Sequence, residues 1–73
     1  MQYNVRDIIE YTVWIVTEFA KRHGLSESQA YNYLSNFKAI SFIDKCYASL
    51  HTLSIEDGLD DVAQICRKNG GAL

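Results

Sequence analysis

The sequence predicts an all-α protein, a compact bundle of four short helices at about residues 5-23, 26-37, 41-51 and 55-69. In each segment, apolar side chains recur at the 3.6-residue spacing of an amphipathic helix. Residues typical of helix starts and stops separate the segments. Strict alternation of apolar and polar residues nowhere coincides with turn dipeptides, so no strand is predicted. We therefore expect a single helical domain over residues 1-73.

The first helix, expected from Val5 to His23, organises the bundle because it holds the densest run of large apolar residues. Asn4 suits the N-cap position, and Gly24 suits the left-handed position that ends a helix. At roughly 100° per residue, one broad face collects Val5, Ile8, Ile9, Val13, Val16, Phe19 and Ala20. This face is wide enough to cover two neighbouring helices.

Two aromatic residues of the first helix fall outside that face. Ile15 lies at its edge, Tyr11 lies beyond the edge, and Trp14 lies almost opposite, among charged residues. A monomer normally keeps such a surface polar. Because aromatic residues are enriched in the cores of interfaces, Tyr11 and Trp14 are candidate partner-binding residues.

The second helix follows Gly24 directly. Ser26 and Gln29 have the spacing of a capping box, and Leu25 supplies the apolar residue before the cap. The apolar positions at helical spacing are Ala30, Tyr33, Leu34 and Phe37. Tyr31 points away from these positions, so it is a third candidate for an exposed aromatic contact.

The third helix is expected to begin at Ser41, which can act as an N-cap with Asp44 three residues later. Residues 38-40 before it are interpreted as a turn. Its apolar positions are Phe42, Ile43, Cys46, Tyr47 and Leu50.

The start of the fourth helix has two alternatives. Ser54 and Asp57 form a cap-like pair, which favours a start at Ile55. Gly58 would then lie in an early turn, at a cost of about 1 kcal/mol relative to alanine. A start near Leu59 avoids this cost.

Composition and charge restrict the class of partner. The net charge is −2 and the pI is near 5.5, with only seven Lys and Arg residues, so nucleic acid is not the expected partner. The longest apolar run near the N-terminus, Val13–Val16, is far shorter than the ~20 residues that a membrane span requires. A charged N-terminal segment lacks the apolar centre of a secretory leader, so we expect a cytoplasmic protein with reduced cysteines.

Few residues are candidates for chemistry. His51 ends the third helix, with Tyr47 one turn before it and Thr52 after it. These side chains form either a polar recognition patch or a C-terminal helix cap, in which the ring satisfies carbonyls and Thr52 anchors the next loop.

No metal, cofactor or enzymatic activity is expected. The two cysteines, Cys46 and Cys66, lie on apolar positions and lack the two-to-four-residue ligand spacing of a zinc site. The acidic residues of segment 56-61 do not follow the alternating ligand pattern of a calcium loop. Carboxylates in the first turn of a helix are favourable without a cation.

Residues 44-52 (DKCYASLHT) and the acidic-apolar Asp60-Asp61-Val62 resemble a family of small bacterial proteins known as a domain of unknown function. Its members share an N-terminal apolar helix, a Leu-Ser helix start and a Tyr-x-x-Leu-His-Thr signature, which Tyr47, Leu50, His51 and Thr52 match here. The resemblance extends from about Val13 to Ile65. Genes of this family often neighbour a protein resembling ADP-ribosyltransferase toxins, and this implies an antitoxin-like or accessory role.

Two functional hypotheses follow. The first is a non-enzymatic protein–protein interaction module, whose partner is an operon-encoded protein such as an ADP-ribosyltransferase-like toxin, or a second copy of the chain. Its candidate contacts are Tyr11, Trp14, Tyr31, Tyr47, His51 and Thr52. The alternative is a small DNA-binding transcriptional regulator that uses the helix-turn-helix corner at Gly24. The helix after this corner has no basic residue, which disfavours the alternative.

Overall fold

The computed structural model describes residues 3–73, which form the helices α1 (Val5–His23), α2 (Glu27–Asn36), α3 (Ala39–Leu50) and α4 (Ile55–Lys68). The predicted all-α bundle of four short helices is confirmed, with each helix end within two residues of its predicted position. The predicted domain also includes residues 1 and 2, which lie outside the described residues. No helix in the described part of the chain is both long and apolar enough to cross a membrane.

Helices α1 and α3 each contact the other three helices. Every helix contributes to one hydrophobic core. The largest fully buried side chains in this core are Phe19, Ile15, Leu34, Ile43, Leu50, Val62 and Cys66.

Local capping chemistry fixes most of the helix ends. The Asn4 side chain caps α1, and Gly24 ends it in the left-handed conformation, with φ of 65°. The predicted capping box of α2 is present, because Ser26 accepts from the Gln29 amide at 3.0 Å and the Gln29 side chain accepts from the Ser26 amide at 2.9 Å.

Helix α4 begins at Ile55, which settles the two alternatives in favour of the earlier start. The Ser54 hydroxyl accepts from the Asp57 amide at 3.2 Å. Gly58 is buried, and a Cβ atom built on it would lie 2.8 Å from the Tyr11 hydroxyl oxygen. The glycine therefore permits a close approach of α4 to α1, at the expense of helix propensity.

The predicted start of α3 at Ser41 is wrong. The helix begins at Ala39, and its N-cap is Lys38, which has φ of 73° and provides no side-chain cap. Ala39 is fully buried. The packing of this small residue into the core therefore sets the start of α3 at Ala39. The polar residues Ser41 and Asp44 lie on the exposed face of its first turns.

The left-handed conformation of Lys38 predicts a stabilising substitution. A residue with a Cβ atom pays roughly 1 kcal/mol to adopt this conformation, and glycine does not. Lys38→Gly is therefore expected to raise the free energy of unfolding by about 0.5–1 kcal/mol in urea titrations. The matched variant Lys45→Gly, inside the same helix, is expected to lower it by about 1 kcal/mol. A loss of stability in Lys38→Gly would contradict the prediction.

The predicted packing face of α1 is also wrong in part. Val5, Ile9 and Val13 were expected to be buried, but they are 69%, 56% and 56% exposed. Tyr11, expected outside the face, is only 9% exposed and belongs to the core.

The burial of the apolar side of α1 changes along the helix, which is much longer than α2. At about 1.5 Å per residue, α1 is roughly 28 Å long and the ten-residue α2 only about 15 Å. Along the apolar side of α1, Val16 and Ala20 are buried towards the C-terminal end, whereas Ile9 and Val13 are open to solvent.

Candidate interaction surface

An apolar groove of about 750 Å³ lies where α1 meets the first turns of α2 and α3. We call it the α1 groove. Its lining residues are Ile8, Ile9, Thr12, Val13 and Val16 of α1, Glu27, Ser28 and Tyr31 of α2, and Ile40, Ser41 and Asp44 of α3.

Large apolar side chains of the α1 groove are open to solvent. Ile9 and Val13 are each 56% exposed, and Tyr31 is 47% exposed. Ile8 and Ile40 are half-buried groove residues, and Ile40 packs against the core. Clustered apolar exposure of this kind, with a polar edge, is characteristic of interaction sites in small folded domains.

The charged side chains of the α1 groove are both acidic. Glu27 and Asp44 are its charged lining residues, and both are exposed. The ion pairs of residues 3–73 join Lys21 to Glu18 and Arg22 to Asp60, so neither groove carboxylate is paired within that part of the chain. The groove is therefore apolar at its centre and negative at its edge.

A second feature is an aromatic cluster that joins the start of α1 to the end of α3. Tyr47 and His51 stack with ring centroids 4.7 Å apart. Tyr3 meets both rings edge-on at 5.1 Å, and its hydroxyl lies 3.3 Å from His51 Nε2. Tyr11 packs edge-on against Tyr47 at 5.5 Å, which connects the cluster to the core.

Both inner phenols of the cluster are held neutral. Burial raises the pKa of Tyr11, and the nearby carboxylate of Asp61 adds to this effect. The pKa of Tyr47 is also raised, by partial burial and by the charge of Asp7. The neutral Tyr11 hydroxyl donates to the main-chain oxygen of Leu50 at 3.4 Å. These groups therefore serve as packing and hydrogen-bonding elements at neutral pH.

At the end of α3, His51 occupies the cap position but its ring contacts other aromatic side chains. His51 is the C-cap residue of α3. Its ring, however, faces Tyr3 and Tyr47, and the Thr52 hydroxyl instead satisfies a helix carbonyl, donating to Ser49 at 2.7 Å. Thr52, and not the His51 ring, therefore satisfies a carbonyl at the end of α3. The recognition role of these residues stays a prediction.

The six predicted contact residues do not form one surface. Tyr31 lines the α1 groove, whereas Tyr47 and His51 belong to the aromatic cluster. Trp14 is 49% exposed and packs edge-on against Tyr11, whose own burial removes it from the candidate surface. The exposed Thr52 lies in the turn after α3.

Sequence reasoning missed the exposed groove residues Ile9, Val13, Glu27 and Asp44. The sequence did contain one indication of this surface. The apolar face predicted for α1 is wider than a single helix–helix contact needs. A face of this width indicates a second contact, and here no element of residues 3–73 covers Ile9 and Val13.

Metal-binding chemistry has no support in the geometry of the described residues. No group of three or more His, Cys, Asp or Glu side chains that could hold a metal ion occurs within residues 3–73. Cys66 is fully buried, and burial raises the pKa of its thiol.

These features define a small all-α domain with an acid-edged apolar groove. The chain belongs to the family described as "Protein of unknown function (DUF3791)", whose model matches residues 10–69. The match runs from within α1 to the residue after α4, and it confirms the resemblance to a family of unknown function. No curated protein and no solved structure matches the chain.

Proposed function

We propose that this chain is a non-enzymatic protein–protein interaction module that binds its partner through the α1 groove. The observation that carries the proposal is the exposure of Ile9, Val13 and Tyr31 side by side in one groove. Fully burying a side chain of this size contributes about 1.5–3 kcal/mol, so a partner that covers the groove gains substantially.

The size of the domain supports the same proposal. A chain of 73 residues buries a small core, which typically supplies about 3–5 kcal/mol of net stability. A partner bound only to the folded state adds to this stability by an amount that grows with the logarithm of its concentration relative to Kd. An intimate complex would therefore stabilise the domain as well as serve its function.

The partner that we propose is the product of a neighbouring gene, and the role is that of an antitoxin-like or accessory protein. This part of the proposal is supported by the resemblance to a family whose genes often neighbour ADP-ribosyltransferase-like toxins. An antitoxin of this kind needs a binding surface and no catalytic group, and the α1 groove supplies such a surface.

The electrostatics of the groove disfavour the DNA-binding alternative. In a helix-turn-helix arrangement, α2 would enter the major groove after the corner at Gly24. Helix α2 carries Glu27 and neither Lys nor Arg. Phosphates would repel this carboxylate, so we do not propose nucleic acid as the ligand.

Val13→Gln is expected to weaken the complex with the neighbouring gene product by about tenfold or more. The substitution replaces an apolar groove contact with an amide that must be desolvated on binding. Calorimetric titration of the purified proteins measures Kd. The matched control is Val5→Gln, because Val5 is also an exposed valine of α1 but does not line the groove.

Equal weakening by both valine variants would contradict the assignment of the groove as the binding surface. Failure of the two wild-type proteins to form a complex would contradict the choice of partner. Retention of the chain on DNA, lost as salt is raised, would instead support the regulator hypothesis.

A further inference from the structure

We propose that the occupant of the α1 groove is an amphipathic helix of the partner, with an apolar face flanked by Lys or Arg residues. This inference rests on the proposed function and specifies the chemistry of the partner. It is carried by three properties of the groove: the kind of backbone that lines it, its shape and its charge.

The backbone of the groove excludes strand pairing. Every lining residue lies within α1, α2 or α3, so the groove offers no sheet edge. An extended partner segment gains affinity largely by pairing its main chain with a free sheet edge, and residues 3–73 form no strand. A helix satisfies its own main-chain groups, so it can bury an apolar face here without leaving amides unpaired.

The shape of the groove matches the packing of a helix. Its α1 wall extends from Ile8 to Val16, roughly 12 Å along the helix axis. Ile40 and Asp44, one turn apart on α3, line the groove from a second helix. Packed helices present furrows between their side-chain ridges, and the ridge of a further helix fills such a furrow at 8–10 Å interaxial distances.

The negative charge of the groove favours basic residues on either side of the apolar face of the partner helix. Glu27 on α2 and Asp44 on α3 are its charged lining groups, and both are exposed carboxylates without an ion-pair partner in residues 3–73. The lysines of the α3 segment, Lys38 and Lys45, line a different depression together with Ile65 and Asn69. Lys or Arg residues beside the apolar face of the incoming helix would meet Glu27 and Asp44 directly.

The same charges disfavour a second copy of this chain as the occupant. In a two-fold symmetric dimer, one patch meets the identical patch. The α1 grooves would then bring Glu27 and Asp44 of one protomer toward their counterparts. Like charges placed together in this way oppose association, and no basic group of the groove offsets them.

A pair of designed peptides tests the inference. Each has about 18 residues, with leucines at i, i+3, i+4 and i+7 on one face, and one peptide carries Lys while the other carries Glu beside that face. Fluorescence anisotropy of the labelled peptides against the full chain gives Kd. We expect the Lys peptide to bind about tenfold more tightly than the Glu peptide at low salt.

Variants of the chain locate the binding. Val13→Gln is expected to weaken the Lys peptide severalfold, and Val5→Gln is expected to leave it unchanged. The double variant Glu27→Gln, Asp44→Asn is expected to remove most of the preference for Lys over Glu. The matched control Glu56→Gln, an exposed carboxylate of α4 outside the groove, is expected to retain the preference.

Each contrary outcome overturns a defined part of the inference. Equal binding of both peptides would refute the charge argument, and binding that is insensitive to Val13→Gln would refute the site. If neither peptide binds but the neighbouring gene product does, in a complex that depends on Val13, the helical occupant is refuted. The proposed function then stands. Self-association in sedimentation equilibrium that Val13→Gln abolishes would identify the second copy as occupant and refute the inference.

Discussion

Phe19→Ala is expected to unfold most of the protein at 25 °C. The Phe19 ring is fully buried. Its centroid lies 5.7 Å from that of the stacked Tyr33 ring and 4.4 Å from that of the His23 ring. Truncating a buried phenylalanine costs about 3–5 kcal/mol. This is as large as the net stability of about 3–5 kcal/mol expected for a domain of this size.

Far-UV circular dichroism during thermal unfolding measures the effect. The matched control is Val13→Ala on the same helix, where the side chain is 56% exposed and its loss should change the free energy of unfolding by less than about 0.5 kcal/mol. Phe19→Leu, which keeps most of the apolar volume, should retain a cooperative transition. A Phe19→Ala variant that melts within a few degrees of the wild type would refute the assigned core.

Gly58→Ala is expected to lower the free energy of unfolding by about 1 kcal/mol, although alanine is the better helix former. A new Cβ atom would lie 2.8 Å from the Tyr11 hydroxyl oxygen and 3.6 Å from Ile15 Cδ1. Overpacking in a tight core typically costs about 1–3 kcal/mol, which exceeds the gain of about 1 kcal/mol in helix propensity.

A double-mutant cycle with Tyr11→Phe isolates this contact. The phenylalanine removes the clashing oxygen, and its main effect otherwise is the loss of a long hydrogen bond to the Leu50 carbonyl, which still accepts from the Leu53 amide at 3.0 Å. In the Tyr11→Phe background, Gly58→Ala should be neutral or stabilising by up to about 1 kcal/mol. Urea unfolding curves should give a coupling of about 1–2 kcal/mol. Equal effects of Gly58→Ala in both backgrounds would contradict the proposed contact.

The helix ends could be predicted from the sequence where a capping residue nearby in the chain determines them. The capping box of Ser26 and Gln29, the Ser54 cap and the left-handed Gly24 all lie within a few residues of the groups that they satisfy. Such short-range patterns can be recognised without knowledge of the fold. The start of α3 differs, because Ala39 is buried by distant parts of the chain and Lys38 accepts a left-handed backbone as a result.

The faces of α1 were predictable only in part for a related reason. Periodicity identified an apolar side, but it carries no information on how long the covering helix is. The N-terminal part of that side is open at Ile9 and Val13, whereas Tyr11 is drawn into the core beside Gly58. The candidate site therefore depends on the lengths and positions of α2 and α3, which sequence periodicity does not report.

The position of Trp14 determines what intrinsic fluorescence can measure in this protein. It is the sole tryptophan, it is half exposed, and it packs edge-on against Tyr11 on a side of α1 that does not line the groove. Its emission will therefore follow the loss of packing around Tyr11 during unfolding and will respond little to an occupant of the groove. An optical reporter of binding has to be placed in the groove itself, and the exposed ring of Tyr31 marks a suitable site.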